Sequence, residues 1–267
     1  MGSQGKVIRA LNLSFGGACN KHCSYCLQSP DVNNKKGDPS YFLKEFKKYV
    51  DKKNIEHIQT IHYWGGEPML YWNIIKSVLN GLDKMFPNVK MHRITTNGTI
   101  VNEDYVNFCN SKENIHTVVS LHDCDLSDEQ WRLLCKIKHL CVTGLFYKQH
   151  PTPFDYLEEW ERISRVTGRP VSFGIYPLHS TDKHFADAWP SVDDVDSYFD
   201  MIEQIALPLS MMGYVYYQKI LSNLVFDIKV RLGQECLPKC FNDTVLSIDL
   251  FGNRFCCHHN ETKENTI

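Results

Sequence analysis

Short apolar runs and amphipathic segments alternate along most of this chain. Val7 to Ser14 reads as a strand, and Asp38 with Pro39 then opens a helix whose Phe42, Leu43, Phe46 and Val50 share one face. Ile58 to Tyr63 reads as a second strand, followed by a helix marked by Ile74, Ile75, Val78, Leu79 and Leu82. Val89 to Thr95 is the third strand, with a helix from about Asn102 to Ser111, and Thr117 to Leu121 is the fourth. Ser127 with Gln130 forms a capping box ahead of Trp131, Leu134 and Cys135. Leu140 to Tyr147 is the fifth strand, and Thr152 is predicted to cap a helix with Leu157, Trp160 and Ile163 facing inward. Pro170 to Tyr176 is the sixth. Ser191 opens a helix carrying Val195, Phe199 and Ile202, which Pro208 is expected to stop.

Six strand–helix units in succession predict an α/β fold with a parallel sheet. Right-handed crossovers curl such a sheet, and six units fall short of the eight that close a barrel. The expectation is a partial (β/α)6 TIM-like barrel over residues 1–208, with its chemistry at the C-terminal ends of the strands. Beyond Pro208 the pattern changes. A helix with Val215, Ile220, Leu221, Leu224, Val225 and Ile228 runs towards Gly233. Cys236 to Cys240 follows, then a predicted hairpin (Thr244 to Asp249 with Arg254 to Cys256) and a polar tail from Asn260. Residues 209–267 therefore read as a separate extension.

The 267 residues are 43% hydrophobic and 12% aromatic, a globular composition with enough apolar mass for a sizeable core. The 29 Lys and Arg nearly balance the 31 Asp and Glu, which gives no ground for a bulk nucleic-acid binder or a membrane-surface binder. The first six residues are polar, without the apolar centre of a secretion signal, and no apolar run is long enough to cross a bilayer. Eleven cysteines, an odd number, then suggest a reducing cytoplasm with thiols kept for metal chemistry.

The densest candidate chemistry follows the first strand: Phe15-Gly16-Gly17-Ala18-Cys19-Asn20-Lys21-His22-Cys23-Ser24-Tyr25-Cys26. Three cysteines at C-x3-C-x2-C suit an iron–sulfur cluster better than a lone zinc, since a [4Fe-4S] cube held by three thiolates keeps one iron open to a small molecule. Half of a zinc site is the alternative. The second strand ends in Trp64-Gly65-Gly66-Glu67-Pro68. Its glycines let the backbone pass close to a ligand, and its carboxylate suits an ammonium group; an ordinary strand-to-helix turn would look the same. The third strand ends in Thr95-Thr96-Asn97-Gly98 and the fourth in Ser120-Leu121-His122-Asp123.

In order and placement these runs resemble the radical S-adenosylmethionine (radical SAM) enzymes. The resemblance spans about Val7 to Cys257. It implies a [4Fe-4S] cluster on Cys19, Cys23 and Cys26, with Tyr25 beside it, and Gly65, Gly66, Glu67 and Pro68 around the methionine amino group of S-adenosylmethionine. Thr96 and Asn97 would border the ribose and methionine, Ser120 would help hold the carboxylate, Lys148 would pair with it, and Pro177 would lie where the adenine packs. His122 stands where many members have an acidic residue, and Cys124 lies on the same face. Cys240, Gly252 and Cys257, at C-x11-G-x4-C, resemble the opening of SPASM and twitch extensions. A full extension continues with further cysteines, so the resemblance leaves room for one auxiliary cluster, on Cys236, Cys240, Cys257 and Cys256. A zinc site using His258 or His259, or no metal, are the alternatives. Cys109, Cys135 and Cys141 fit buried small hydrophobes.

The implied reaction is one-electron cleavage of S-adenosylmethionine and hydrogen-atom abstraction from a substrate by the resulting 5′-deoxyadenosyl radical, with flavodoxin or ferredoxin as the kind of reductant required. Members with this extension commonly modify peptides, which makes a peptide or protein side chain the expected substrate. A small molecule or nucleoside is the first alternative, and a non-catalytic iron–sulfur or zinc module is the second.

Overall fold

The computed structural model describes residues 5–23, 26, 37–121, 126–177, 191–221 and 245–253. Seven strands lie in a single sheet: β1 (Lys6–Ser14), β2 (Ile55–Trp64), β3 (Met91–Thr96), β4 (Ile115–Ser120), β5 (Leu140–Phe146), β6 (Ser172–Pro177) and β7 (Val245–Asp249). Between them run helices α1 (Pro39–Lys53), α2 (Trp72–Met85), α3 (Glu103–Asn110), α4 (Asp128–Leu134), α5 (Leu157–Thr167), α6 (Val192–Met201) and α7 (Leu207–Met211). Every strand pair is parallel, and the order is β6-β5-β4-β3-β2-β1-β7.

An order that steps one way through six strands puts the crossover helices on one face, and the sheet curls around the other. Burial follows that division. Ile8, Leu11 and Leu13 of β1, Ile58, Ile61 and Tyr63 of β2, and Ile94 of β3 are buried. They share a core with Phe42, Phe46, Ile75, Leu79 and Leu82 of α1 and α2. Strand alternation puts Ala10, Asn12, Ser14, Thr60, His62, Trp64, Arg93 and Thr95 on the concave side, half-buried, with Ile8 and Ile58 buried earlier on that same face. This is the expected open α/β barrel.

The helix starts follow their caps. Asp38 accepts from the Ser40 amide ahead of Pro39, and Asn102 from the Tyr105 amide. Ser127 with Gln130 and Ser191 with Asp194 form capping boxes. Thr152 departs from expectation. Its amide and hydroxyl both bind the Asp155 carboxylate in a turn, and α5 begins only at Leu157. Nor does Pro208 stop its helix. A π turn, Ile202–Ala206, leads straight into α7, with the Leu207 amide reaching back to the Ile202 carbonyl, and Pro208 sits in the first turn of α7, where an amide has least use.

Past Pro208 the sheet gains one more strand. Residues 215–221 are helical, as expected, and the continuation towards Gly233 is outside the described residues. Val245–Asp249, expected as one limb of a hairpin, is a seventh strand that pairs in parallel with β1, with Leu11 opposite Leu246 and Leu13 opposite Ile248, and the chain turns after it, the Asp249 amide donating to the Asn253 carbonyl at 3.0 Å. The second limb, Arg254 to Cys256, lies outside the described residues. Leu246 and Ile248 are buried in the main core, which accounts for the pairing. Among the described residues no helix is long and apolar enough to cross a membrane.

Candidate active site at the ends of the first three strands

Past Ser14 and Trp64 the chain still pairs as it did within the sheet. The Phe15 amide donates to the Trp64 carbonyl at 3.1 Å, the Gly66 amide to the Gly16 carbonyl at 2.7 Å, and the Glu67 amide to the Ala18 carbonyl at 2.7 Å. The cysteine loop and the Gly-Gly-Glu-Pro turn are thereby fastened backbone to backbone. The glycines make this approach possible. Gly65 has φ +131°, a region side chains avoid, and a Cβ on Gly66 would come within 2.1 Å of the Ala18 carbonyl oxygen. The Tyr71 hydroxyl, which accepts from the Ala18 amide at 3.3 Å, fills the space beside Gly16.

Glu67 lies at the centre, with only 1% of its surface exposed. One carboxylate oxygen accepts from the Met69 amide at 2.9 Å and the Thr96 hydroxyl at 2.6 Å, and the other from the Asn97 amide at 2.8 Å. Burial pushes its carboxyl pKa up, and the bonds from Thr96, Asn97 and Met69 offset this in part. A carboxylate has about four acceptor positions, so three donors leave one.

Asn97 carries the network to the cysteines. Its side-chain amide donates to Asn20 Oδ1 at 2.9 Å and lies 3.9 Å from Cys19 Sγ, while its oxygen accepts from the Thr99 amide and hydroxyl. Asn20 in turn donates to the Thr99 hydroxyl at 2.7 Å. Asn20, Thr99 and Tyr71 were not anticipated from the sequence, because nothing in it ties a residue beside Cys19 to a turn nearly eighty positions away.

Cys19 and Cys23 are half-buried and Cys26 is exposed. The Lys21 amide donates to Cys19 Sγ at 3.4 Å, and the Cys26 amide to the Cys23 carbonyl at 3.0 Å. Among the described residues no three His, Cys, Asp or Glu side chains are grouped to hold a single metal ion. A four-iron cube takes each thiolate at a different corner and asks for no such convergence. Three thiols in one short loop, with N–H donors aimed at a sulfur, fit its donor chemistry.

The other expected positions scatter. Ser120 ends β4, beside Thr143 of β5. Lys148 is exposed, and its charge adds to the Ser191 hydrogen bonds that lower the pKa of Asp194 on α6. Pro177 ends β6, opposite Phe146, at the far edge of the sheet from the cysteine loop. Tyr25, His122, Cys124, Cys236, Cys240, Cys256, Cys257, His258 and His259 lie outside the described residues. Cys109 is buried and its thiol is pushed up to about 11 by that burial; Cys135 and Cys141 are half-buried and raised for the same reason, so all three resist ionisation.

Residues 13–137 match the family model of the Radical SAM superfamily. A GTP 3′,8-cyclase of Clostridium botulinum is 28% identical over 102 residues, 38% of this chain and 31% of that protein. The chain spans about a third of the length of the curated relatives it matches. Among solved structures, Streptococcus suis SuiB bound to precursor peptide SuiA superposes with a TM-score of 0.63 at 13% identity, covering 97% of this chain and 62% of that one. The enzyme anSMEcpe with bound AdoMet and the Kp18Cys peptide superposes with a TM-score of 0.69 at 14% identity, covering 98% and 79%. At such identities the likeness is one of fold.

Proposed function

We propose, from the match of residues 13–137 to the Radical SAM superfamily model, that the chain is a radical SAM enzyme that cleaves S-adenosylmethionine reductively and abstracts a hydrogen atom from a peptide or protein side chain. The observation that carries the reading is the fastening of the three-cysteine loop to the Gly-Gly-Glu-Pro and Thr-Asn-Gly turns by the Gly66, Glu67 and Asn97 hydrogen bonds. Cys19, Cys23 and Cys26 would hold the cluster. Bound there, the cluster and S-adenosylmethionine supply the electron transfer and the 5′-deoxyadenosyl radical.

The protein's own part is placement. Asn97 and the Lys21 amide direct N–H groups at Cys19 Sγ, where they stabilise the thiolate form a metal needs. The one remaining acceptor position on Glu67 would take the ammonium of the cofactor, and Ser120 would help hold its carboxylate. Residues 209–267 are read as an extension of the barrel that lends it β7; the cysteines of that extension would hold an auxiliary cluster, with zinc as the competitor. SuiB and anSMEcpe were solved with peptides, which supports the peptide substrate. The match to GTP 3′,8-cyclases favours a nucleotide as the second reading.

The test is anaerobic reconstitution with iron and sulfide, followed by dithionite and S-adenosylmethionine. Formation of 5′-deoxyadenosine, abolished when Cys19, Cys23 and Cys26 are all replaced by Ala, is the expected result. Its absence from the reconstituted wild type would refute the reading. A peptide encoded beside the gene, altered in mass in step with 5′-deoxyadenosine, would decide for peptide over GTP.

A further inference from the structure

The concave face carries a second set of polar groups, away from the cysteine loop. Strand alternation decides which residues look that way. His92 and Thr96 of β3 point to the helix side, where His92 meets Asp83 of α2 at 2.8 Å and Thr96 meets Glu67, so Arg93 points into the concavity. Tyr63 and Thr117 also face the helix side, where Tyr63 meets His92 and Thr117 meets Tyr105 of α3; His62 and His116 are therefore turned inward. The parallel register sets Asn12, His62, Arg93 and His116 side by side on four neighbouring strands. His139 prolongs the row by stacking on His116, ring centroids 4.6 Å apart and planes 17° apart.

Barrel interiors are usually filled by branched apolar residues. This layer is polar on every strand it crosses and half-buried throughout. At its end His139 lies 3.9 Å from Glu113. Arg93 acts electrostatically on His116 and Cys141, yet among the described residues it forms no ion pair. Burial, His139 and Arg93 together lower the His116 pKa, as expected in a locally positive environment. A half-buried guanidinium with no acidic partner among the described residues is costly, and it presents a planar fork suited to a carboxylate or phosphate.

We propose that this row is a subsite for an anionic group of the substrate, a carboxylate or a phosphate, with Arg93 as its bidentate partner and His62 and His116 as flanking donors. The inference rests on the reading that the substrate reacts at the cysteine loop. The row lies two residues, roughly 7 Å, below Ser14 and Trp64, where that loop and the Gly-Gly-Glu-Pro turn begin. A substrate would thus present its reacting carbon at the strand ends and its anion deeper in the concavity. The methionine carboxylate of the cofactor does not fit the row, since Ser120 is four residues, roughly 13 Å, further along β4 than His116.

The probes are pyrophosphate and glutarate, titrated separately into reconstituted protein labelled at its histidine rings and followed by NMR. In the wild type the His62 and His116 resonances should shift saturably with at least one of them. Tighter saturation by pyrophosphate assigns a phosphorylated substrate, and tighter saturation by glutarate a carboxylate. Arg93→Gln should weaken that binding roughly 10-fold or more, Arg93→Lys should restore part of it, and affinity for S-adenosylmethionine should stay at the wild-type value in both. If Arg93→Gln fails to fold, His116→Asn gives the same comparison. No saturable shift with either anion, an equal shift in Arg93→Gln, or a parallel loss of cofactor affinity would each overturn the subsite. A wild type that binds the anion but makes no 5′-deoxyadenosine would sink the proposed reaction and leave the subsite standing.

Discussion

Removing the Glu67 side chain should cost the protein far more than an exposed glutamate would. Glu67→Ala strands three donors, the buried Met69 amide and Thr96 hydroxyl and the part-buried Asn97 amide. An unpaired buried donor costs about 1–3 kcal/mol, and the three share one acceptor group, so their sum is less than additive: roughly 3–6 kcal/mol. In a domain of this size, 1 kcal/mol moves Tm by about 2–4 °C, which gives a fall of roughly 6–24 °C. Glu67→Gln behaves differently. Its oxygen can serve Thr96 and Met69, while its NH2 opposes the Asn97 amide, a loss of about one bond. Against that loss, the neutral side chain escapes the burial cost that raises the pKa of Glu67. A raised carboxyl stabilises the fold below its unfolded value, and that stability is lost as pH rises through the raised value; the wild type should show this decline and Glu67→Gln should not. Thermal denaturation by circular dichroism, across pH, reads both effects. A Glu67→Ala midpoint within about 2 °C of the wild type would refute the structural argument. Cofactor affinity reads the separate proposal: Glu67→Gln should bind S-adenosylmethionine roughly 10-fold more weakly with iron content unchanged, and equal affinity would remove the ammonium role.

Three further outcomes are expected. Gly66→Ala would bring a Cβ within 2.1 Å of the Ala18 carbonyl oxygen, so it should loosen the cysteine loop and lower the iron retained after reconstitution, measured against wild type. Burial raises the Asp83 carboxyl, but bonds from His92 and Lys112 outweigh it and hold the pKa below the usual value; the stability it lends is present above the unfolded pKa and lost as pH falls through the lowered one, so Asp83→Asn should flatten the acid limb of an unfolding curve. In a variant lacking Cys19, Cys23 and Cys26, reconstitution should still load iron with matching sulfide on the C-terminal cysteines; zinc alone would favour the structural competitor, and neither metal would leave idle thiols.

What was legible in the sequence was what local chemistry decides. Apolar alternation marked the first six strands, and Asp38, Ser127 and Ser191 announced their helices because each has a side-chain acceptor one turn ahead of the amide it caps. Thr152 carries the same kind of side chain, but Asp155 takes both its amide and its hydroxyl, and that competition is settled by the turn rather than by residue type. The partner of β7 could not be read locally, because Leu246 and Ile248 find their places only against Leu11 and Leu13, over two hundred positions earlier. The Gly-Gly-Glu-Pro turn could be located, but not the bonds Glu67 makes with Thr96 and Asn97.

The same division explains why the two faces of the sheet differ so sharply. On the helix side, His92 is buried and fully occupied between Tyr63 and Asp83, and Asp83 reaches Lys112, so each polar group finds its complement within the protein. One residue along β3, on the concave side, Arg93 has no such complement among the described residues. A sheet that needed only stability would place apolar side chains on both faces, as a parallel sheet covered on both sides does. Among the described residues, the difference between His92, paired on both ring nitrogens, and Arg93, without an ion pair, is what the proposed anion subsite rests on. For that reason the row beneath the cysteine loop, rather than the loop alone, is the place to look for what distinguishes this chain's substrate.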